Sequence, residues 1–127
     1  VPLLRVPSVL VPIPLGRRRL RARGYNQAER LAAALARLGG HEVRTDLLVR
    51  RRETGTQTKL TPEARRVNVS GAFEAAGRVE GRVVLVDDVL TTGATLAEAA
   101  MALAGAGAAR VDAVTFARAR PPATMLA

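Results

Sequence analysis

Two adjacent aspartates, Asp87 and Asp88, close an apolar run in the stretch VVLVDDVLTTGAT, Val83–Thr95. Neighbouring like charges help no core. The pair is therefore either decoration of a loop or a set of acceptors for hydroxyls, a metal or a positive charge. Beyond Val89 and Leu90 come Thr91, Thr92, Gly93, Ala94 and Thr95. A turn of this composition leading into a helix converges backbone N–H groups, and the helix dipole there favours an anion. Gly93 lets the backbone approach closely, and the threonine hydroxyls add donors without bulk.

The acids and the turn suit different parts of one ligand. Carboxylates repel phosphate but accept hydrogen bonds from vicinal hydroxyls, whereas the turn donates to phosphate. A ribose 5-phosphate has both features. Three other readings stand beside this one. A Walker B strand also ends in Asp, but it needs a Gly-x-x-x-x-Gly-Lys-[Ser/Thr] loop upstream, which the chain lacks. A receiver domain carries an acidic pair after its first strand, and here the pair comes late. The third is a decorated strand end followed by a capped helix.

A second concentration of chemistry lies at GRRRLRARG, Gly16–Gly24, with Arg17, Arg18, Arg19, Arg21 and Arg23. Arginine binds phosphate oxygens in a bidentate manner, so this basic stretch, read as a loop, suits a diphosphate or a nucleic-acid backbone. Only Tyr25 lies nearby to stack on a base, so contact with DNA would be mostly electrostatic. His41, the single histidine, follows two glycines and is expected as a surface turn residue.

The elements that must position these groups follow from periodicity. Ser8–Leu15 is β-rich, with Val9, Val11 and Ile13 facing a core until Pro12 and Pro14 end it. NQAERLAAALARLGG predicts a helix with Asn26 as N-cap, an apolar stripe of Ala28, Leu31, Ala32, Leu35 and Leu38, and a stop at Gly39–Gly40. Glu42–Arg50 reads as a second strand. A polar segment follows, in which Thr61 and Pro62 could open a short helix and Gly71–Ala75 a short extended piece. Glu80–Arg82 is a turn. Val83–Val86 is a continuous apolar run, as in strands buried on both faces of a parallel sheet. Leu96, Ala99, Ala100 and Leu103 mark a helix, Arg110–Ala119 a last strand, and Arg120–Ala127 an irregular tail. Strand, helix, strand, polar segment, strand, helix, strand is the pattern of βαβ units with right-handed crossovers, and such sheets bind ligands at the carboxyl ends of their strands.

Composition agrees. The chain has 127 residues, enough for one domain spanning residues 1–127, and aromatics are only 2%, so Val, Leu and Ala must build the core. The formal net charge is +9, nearly all of the positive charge arginine, with Lys59 the only lysine, which suits an anionic partner. The absence of cysteine excludes disulfides and thiolate-bound zinc in this chain and fits a cytoplasmic location. The opening residues Val1–Leu15 are apolar but broken by Arg5 and four prolines, so neither a membrane span nor a secretory leader is expected.

Val83–Thr95 resembles, throughout its length, the phosphoribosyl-pyrophosphate signature of type I phosphoribosyltransferases. Pro12–Ala32 resembles the Pro-Val-Pro-Leu…Arg-Gly-Phe-Asn-Gln segment of ComF-like proteins, with Tyr25 in place of the usual Phe. Arg50, Arg52, Thr54, Gln57, Leu60, Arg65, Asn68 and Phe73 fall on a further ComF pattern. Many members carry a four-cysteine zinc module, for which this chain has no cysteines. The resemblance implies a three-layer α/β core with a parallel sheet and a small or absent hood. It implies that Asp87 and Asp88 hold the ribose hydroxyls near the developing positive charge. Thr91, Thr92, Gly93, Ala94 and Thr95 would bind the 5-phosphate, and Leu15, Gly16 and Arg17 the diphosphate. Arg52, Gln57 and Lys59 would lie on a mobile loop. It implies Mg2+ held mainly by the ligand, with Asp87 and Asp88 as the protein's donors, and no zinc. Two functions fit: transfer of ribose 5-phosphate from phosphoribosyl pyrophosphate to an unknown acceptor, or a non-catalytic binding module in DNA uptake. In either, single-stranded DNA at Arg18, Arg19, Arg21 and Arg23, competence proteins and a second copy of the chain are open as partners.

Overall fold

The computed structural model describes residues 7–51, 71–90 and 93–118. Its centre is β5 (Arg82–Leu90), whose residues Val83, Val84, Leu85 and Val86 are all buried. Successive side chains point to opposite faces of a strand, so this run needs a covered sheet on both sides. On one face Val83 and Leu85 pack with Val11, Ile13, Phe73 and, from α3 (Ala94–Gly105), Ala99 and Leu103. On the other, Val84 and Val86 pack with Leu10 and with Ala32 of α2 (Gln27–Gly39). The small side chains of α2 and α3 let both helices close on the sheet, giving the three layers that the family resemblance implied.

The main sheet is parallel, in the order β2-β1-β5-β6, where β1 is Val9–Pro12, β2 Glu42–Val43 and β6 Arg110–Arg118. Successive strands are added in one direction from β1 to β2 and in the other from β5 to β6, so the order switches between β1 and β5, which is where open α/β sheets form a crevice. A separate antiparallel pair, β3 (Leu48–Arg50) and β4 (Phe73–Ala75), lies on the α3 side.

Four local expectations are corrected. The basic stretch is helical: α1 (Arg17–Arg23) forms from good helix formers and ends at Gly24 in the left-handed region, φ 79°. Glu42–Arg50 is two strands, because Arg44 turns back to donate to both carboxylate oxygens of Asp46 at 2.8 Å and the chain leaves the main sheet there. Leu38 is 87% exposed. Asn26, just before α2, reaches Ile13, and β1 and β5 both start level with Val9. A 13-residue helix spans about 20 Å. The strand from Val9 to Ile13 spans only about 13 Å, so the last turn of α2 overshoots the sheet. His41 is half-buried rather than a surface decoration, and its Nδ1 accepts the Ser8 N–H at 3.0 Å.

The expected N-cap is present: the Asn26 side-chain Oδ1 accepts from Ala28 N–H at 3.0 Å. At the far end of the sheet Asp112 bridges Arg82 of β5 (3.0 Å) and Arg110, tying β5 to β6 in register. The Thr61–Pro62 helix start and the Arg120–Ala127 tail lie outside the described residues. Among the described residues, no helix is long and apolar enough to cross a membrane.

Candidate functional site

Pro12 and Pro14 stop β1 early. Its last ladder partner is Val86, with Ile13 N–H donating to the Val86 carbonyl at 2.9 Å. β5 runs on to Leu90 with, among the described residues, only β6 beside it. This overhang opens a cavity of about 530 Å3 at the carboxyl ends of β1 and β5. The missing strand leaves backbone donors to be satisfied, and the carboxylates supply acceptors. Asp87 Oδ1 takes the Asp88 N–H, and Asp88 Oδ1 takes the Val89 N–H, each at 2.9 Å.

The adjacency of the two acids now has a physical explanation. Strand alternation sends Asp87 to the face of Val83 and Leu85 and Asp88 to the face of Val84 and Val86. Both nevertheless line the cavity, because the crevice wraps around the end of the strand. Burial pushes the Asp87 carboxyl up to about 7. The Asp88 amide opposes that rise, the Asp88 carboxylate reinforces it, and the charge of Arg50 eases it.

Facing the acids are Gly93 and Thr95 at the start of α3. Gly93 is in the left-handed region, φ 84°, and α3 has neither a side-chain cap nor an acid in its first turn. A Cβ at Gly93 would meet only Leu90 Cδ1 at 3.8 Å, so conformation rather than space requires glycine. Gly93→Ala is expected to cost about 1 kcal/mol, read as a fall of a few degrees in melting temperature. An unchanged melting curve would remove this glycine's backbone role.

The third wall is cationic. Arg19, Ala22 and Arg23 of α1 line the cavity with spacing that places the two arginines one turn apart on one helix face, and Arg50 of β3 joins them. The structure thus brings together Leu15, Arg19, Arg23, Asp87, Asp88, Gly93 and Thr95 from the expected set. Gly16 is buried at the head of α1, and Ala94 opens α3. Arg17, Arg18 and Arg21 do not line the cavity; the arginines that do are Arg19 and Arg23 of α1 and Arg50 of β3. Thr91, Thr92, Arg52, Gln57 and Lys59 lie outside the described residues. Asn26, Gln27 and Arg50 also line the cavity. Asn26 was legible as a cap and, with Gln27, as part of a family segment, and Arg50 only as part of a family pattern, because no local signal shows that the β3–β4 pair returns to the end of β1.

A parallel sheet covered by helices on both faces, with its crevice at the carboxyl ends of the strands, defines an open α/β domain, and residues 20–125 match the phosphoribosyl transferase domain family. The chain belongs to that family. It is 40% identical over 110 residues to the DNA utilization protein YhgH of Escherichia coli K12, covering 86% of this chain and 48% of that one. It is 37% identical over 120 residues to competence protein F of Haemophilus influenzae (91% and 52%) and 39% over 113 residues to competence protein ComFC of Bacillus subtilis (87% and 44%). The chain spans about half the length of these relatives. No solved structure matches it significantly.

Proposed function

We propose that the chain binds phosphoribosyl pyrophosphate in this cavity, transfers its ribose 5-phosphate to an acceptor, and serves the use of incoming DNA. The observation that carries this reading is the division of one cavity into acids, a helix start opened by Gly93, and arginines. The 5-phosphate suits Gly93–Thr95, where the α3 dipole favours an anion and the first turn carries no acidic side chain. The 2- and 3-hydroxyls suit Asp87 and Asp88. The diphosphate suits Arg19, Arg23 and Arg50 beside the Leu15–Gly16 loop, in place of Arg17.

In the transfer, the C1–oxygen bond to diphosphate breaks and its electron pair leaves with the diphosphate. A lone pair of the acceptor forms the new bond to C1, and the acceptor's proton passes to solvent. The acids face the positive charge that develops on the sugar, and the arginines face the negative charge that develops on the leaving group; both act by preorganised electrostatics. The donor set fits Mg2+: two carboxylates beside a diphosphate offer hard oxygens, and no cluster of three His, Cys, Asp or Glu that could hold an ion alone occurs among the described residues. Held by Asp87, Asp88 and the ligand, it would neutralise diphosphate charge.

Calorimetry with phosphoribosyl pyrophosphate and Mg2+ tests binding, and diphosphate release with a panel of amines and nucleobases tests transfer. A folded chain that takes up no ligand at millimolar concentration would sink the reading.

A second reading has its own observation. Arg17, Arg18 and Arg21 lie off the cavity, and Arg30 stacks at 4.0 Å over Tyr25, which is 39% exposed. This basic surface suits a single-stranded DNA backbone and an accessory role in the cytoplasm beside competence proteins, without turnover. Its affinity would fall steeply with salt; a flat salt response excludes it.

A further inference from the structure

The loop between β1 and α1 is held at successive points by groups from unrelated parts of the chain. Ile13 N–H donates to the Val86 carbonyl at 2.9 Å. The Ile13 carbonyl accepts from Asn26 Nδ2 at 3.0 Å. The next carbonyl, that of Pro14, accepts from Arg50 Nε at 2.9 Å. The Gly16 carbonyl accepts from Leu20 N–H at 3.0 Å. Asn26 comes from the head of α2 and Arg50 from the β3–β4 pair, so the loop is gripped from both sides. Neither grip is loose. Asn26 is buried, with its amide oxygen already fixed by Ala28, and the Arg50 guanidinium lies 4.6 Å over the Phe73 ring.

Capping α2 needs only an oxygen acceptor, which Ser, Thr or Asp supplies equally well. Asparagine adds the donor that reaches Ile13, so this residue type does more than start a helix. Both proline rings, at 12 and 14, already restrict the segment, and the two hydrogen bonds leave Leu15 and Gly16 with little freedom at the cavity wall.

We propose that Asn26 is a positioning residue. With Arg50 opposite, it sets the β1–α1 loop in the conformation that receives the diphosphate end of the ligand. The proposal rests on the functional reading above for the identity of that ligand. Its geometric part stands on the hydrogen bonds alone. Preorganised loops raise affinity by removing the cost of ordering when the ligand arrives.

Asn26→Ser separates the two roles, because serine caps α2 but is too short to reach Ile13. Hydrogen exchange should accelerate roughly tenfold at residues 15–17 and stay within about twofold at residues 28–31. With Mg2+ present, phosphoribosyl pyrophosphate should bind roughly tenfold more weakly, while ribose 5-phosphate, which lacks the diphosphate, should change by less than about twofold. Arg50→Lys keeps the charge but gives up the planar Nε contact, and should reproduce the exchange pattern. Equal weakening of both ligands, or faster exchange at the head of α2 instead of the loop, would overturn the proposal. A parent chain that binds neither ligand would overturn the functional reading instead, and the exchange result would then decide the positioning role.

Discussion

Replacing Asp87 with asparagine should raise the melting temperature at pH 8 while weakening ligand binding. The carboxyl is pushed up to about 7 by burial at the overhang of β5. In the unfolded chain it titrates near 3.8. Between those values the folded chain holds a proton that the unfolded chain has released. Stability therefore falls as pH rises through this window and levels off above pH 7. Asparagine has no charge to desolvate, so the gain should be absent near pH 4 and full at pH 8. Its upper bound is about 4 kcal/mol. Ligand binding should move the other way. The carboxylate is the stronger acceptor for ribose hydroxyls, and losing a charge-assisted hydrogen bond costs about 2 kcal/mol, roughly 30-fold in affinity. Melting curves at pH 4 and pH 8 with a parallel titration of phosphoribosyl pyrophosphate and Mg2+ check both halves. A lower melting temperature at pH 8 would show that the carboxylate is stabilised where it sits, and unchanged affinity would remove Asp87 from the sugar site.

Truncating Leu85 to alanine should bring the fold close to its limit. Leu85 is fully buried at the middle of β5, within the larger of the two cores. Removing a buried leucine side chain costs about 2–5 kcal/mol, against a total stability of about 5–15. The melting temperature should drop by about 10–15 °C. Leu38→Ala is the control. Both leucines sit in strongly apolar patterns, yet Leu38 is 87% exposed and its truncation should change stability by less than about 0.5 kcal/mol. Chemical denaturation of the two variants separates them, and equal effects would mean that the last turn of α2 is packed against something.

The contrast between these leucines shows what a linear pattern conveys. The order of strands and helices was legible because each has its own period and its own stops. Pro12 and Pro14 end β1, Asn26 starts α2 and Gly40 ends it in the left-handed region. The buried character of β5 was legible because four consecutive apolar residues fit only a strand covered on both faces. The helix over Arg17–Arg23 is hidden in the sequence, because five arginines look like a solvated loop although their helix propensity is high. The break within Glu42–Arg50 is hidden because a strand pattern carries no sign of which sheet it joins.

The site divides along the same line. The run from Val83 to Thr95 by itself set the acids close to the start of α3, the proposed phosphate site, since both halves are neighbours in sequence and need no distant partner. The sequence also set the concentration of positive charge whose arginines line one wall of the cavity. Which arginines face the cavity was decided by tertiary structure alone. Helical phase turns Arg19 and Arg23 inward and leaves Arg17, Arg18 and Arg21 off the wall, and pairing of β3 with β4 carries Arg50 to the Pro14 carbonyl. The elevated pKa of Asp87 likewise exists only after β1 has stopped short and the two cores have closed around the strand end. Local chemistry is written in the order of residues; the meeting of groups far apart in the chain is fixed only when the apolar faces are buried together.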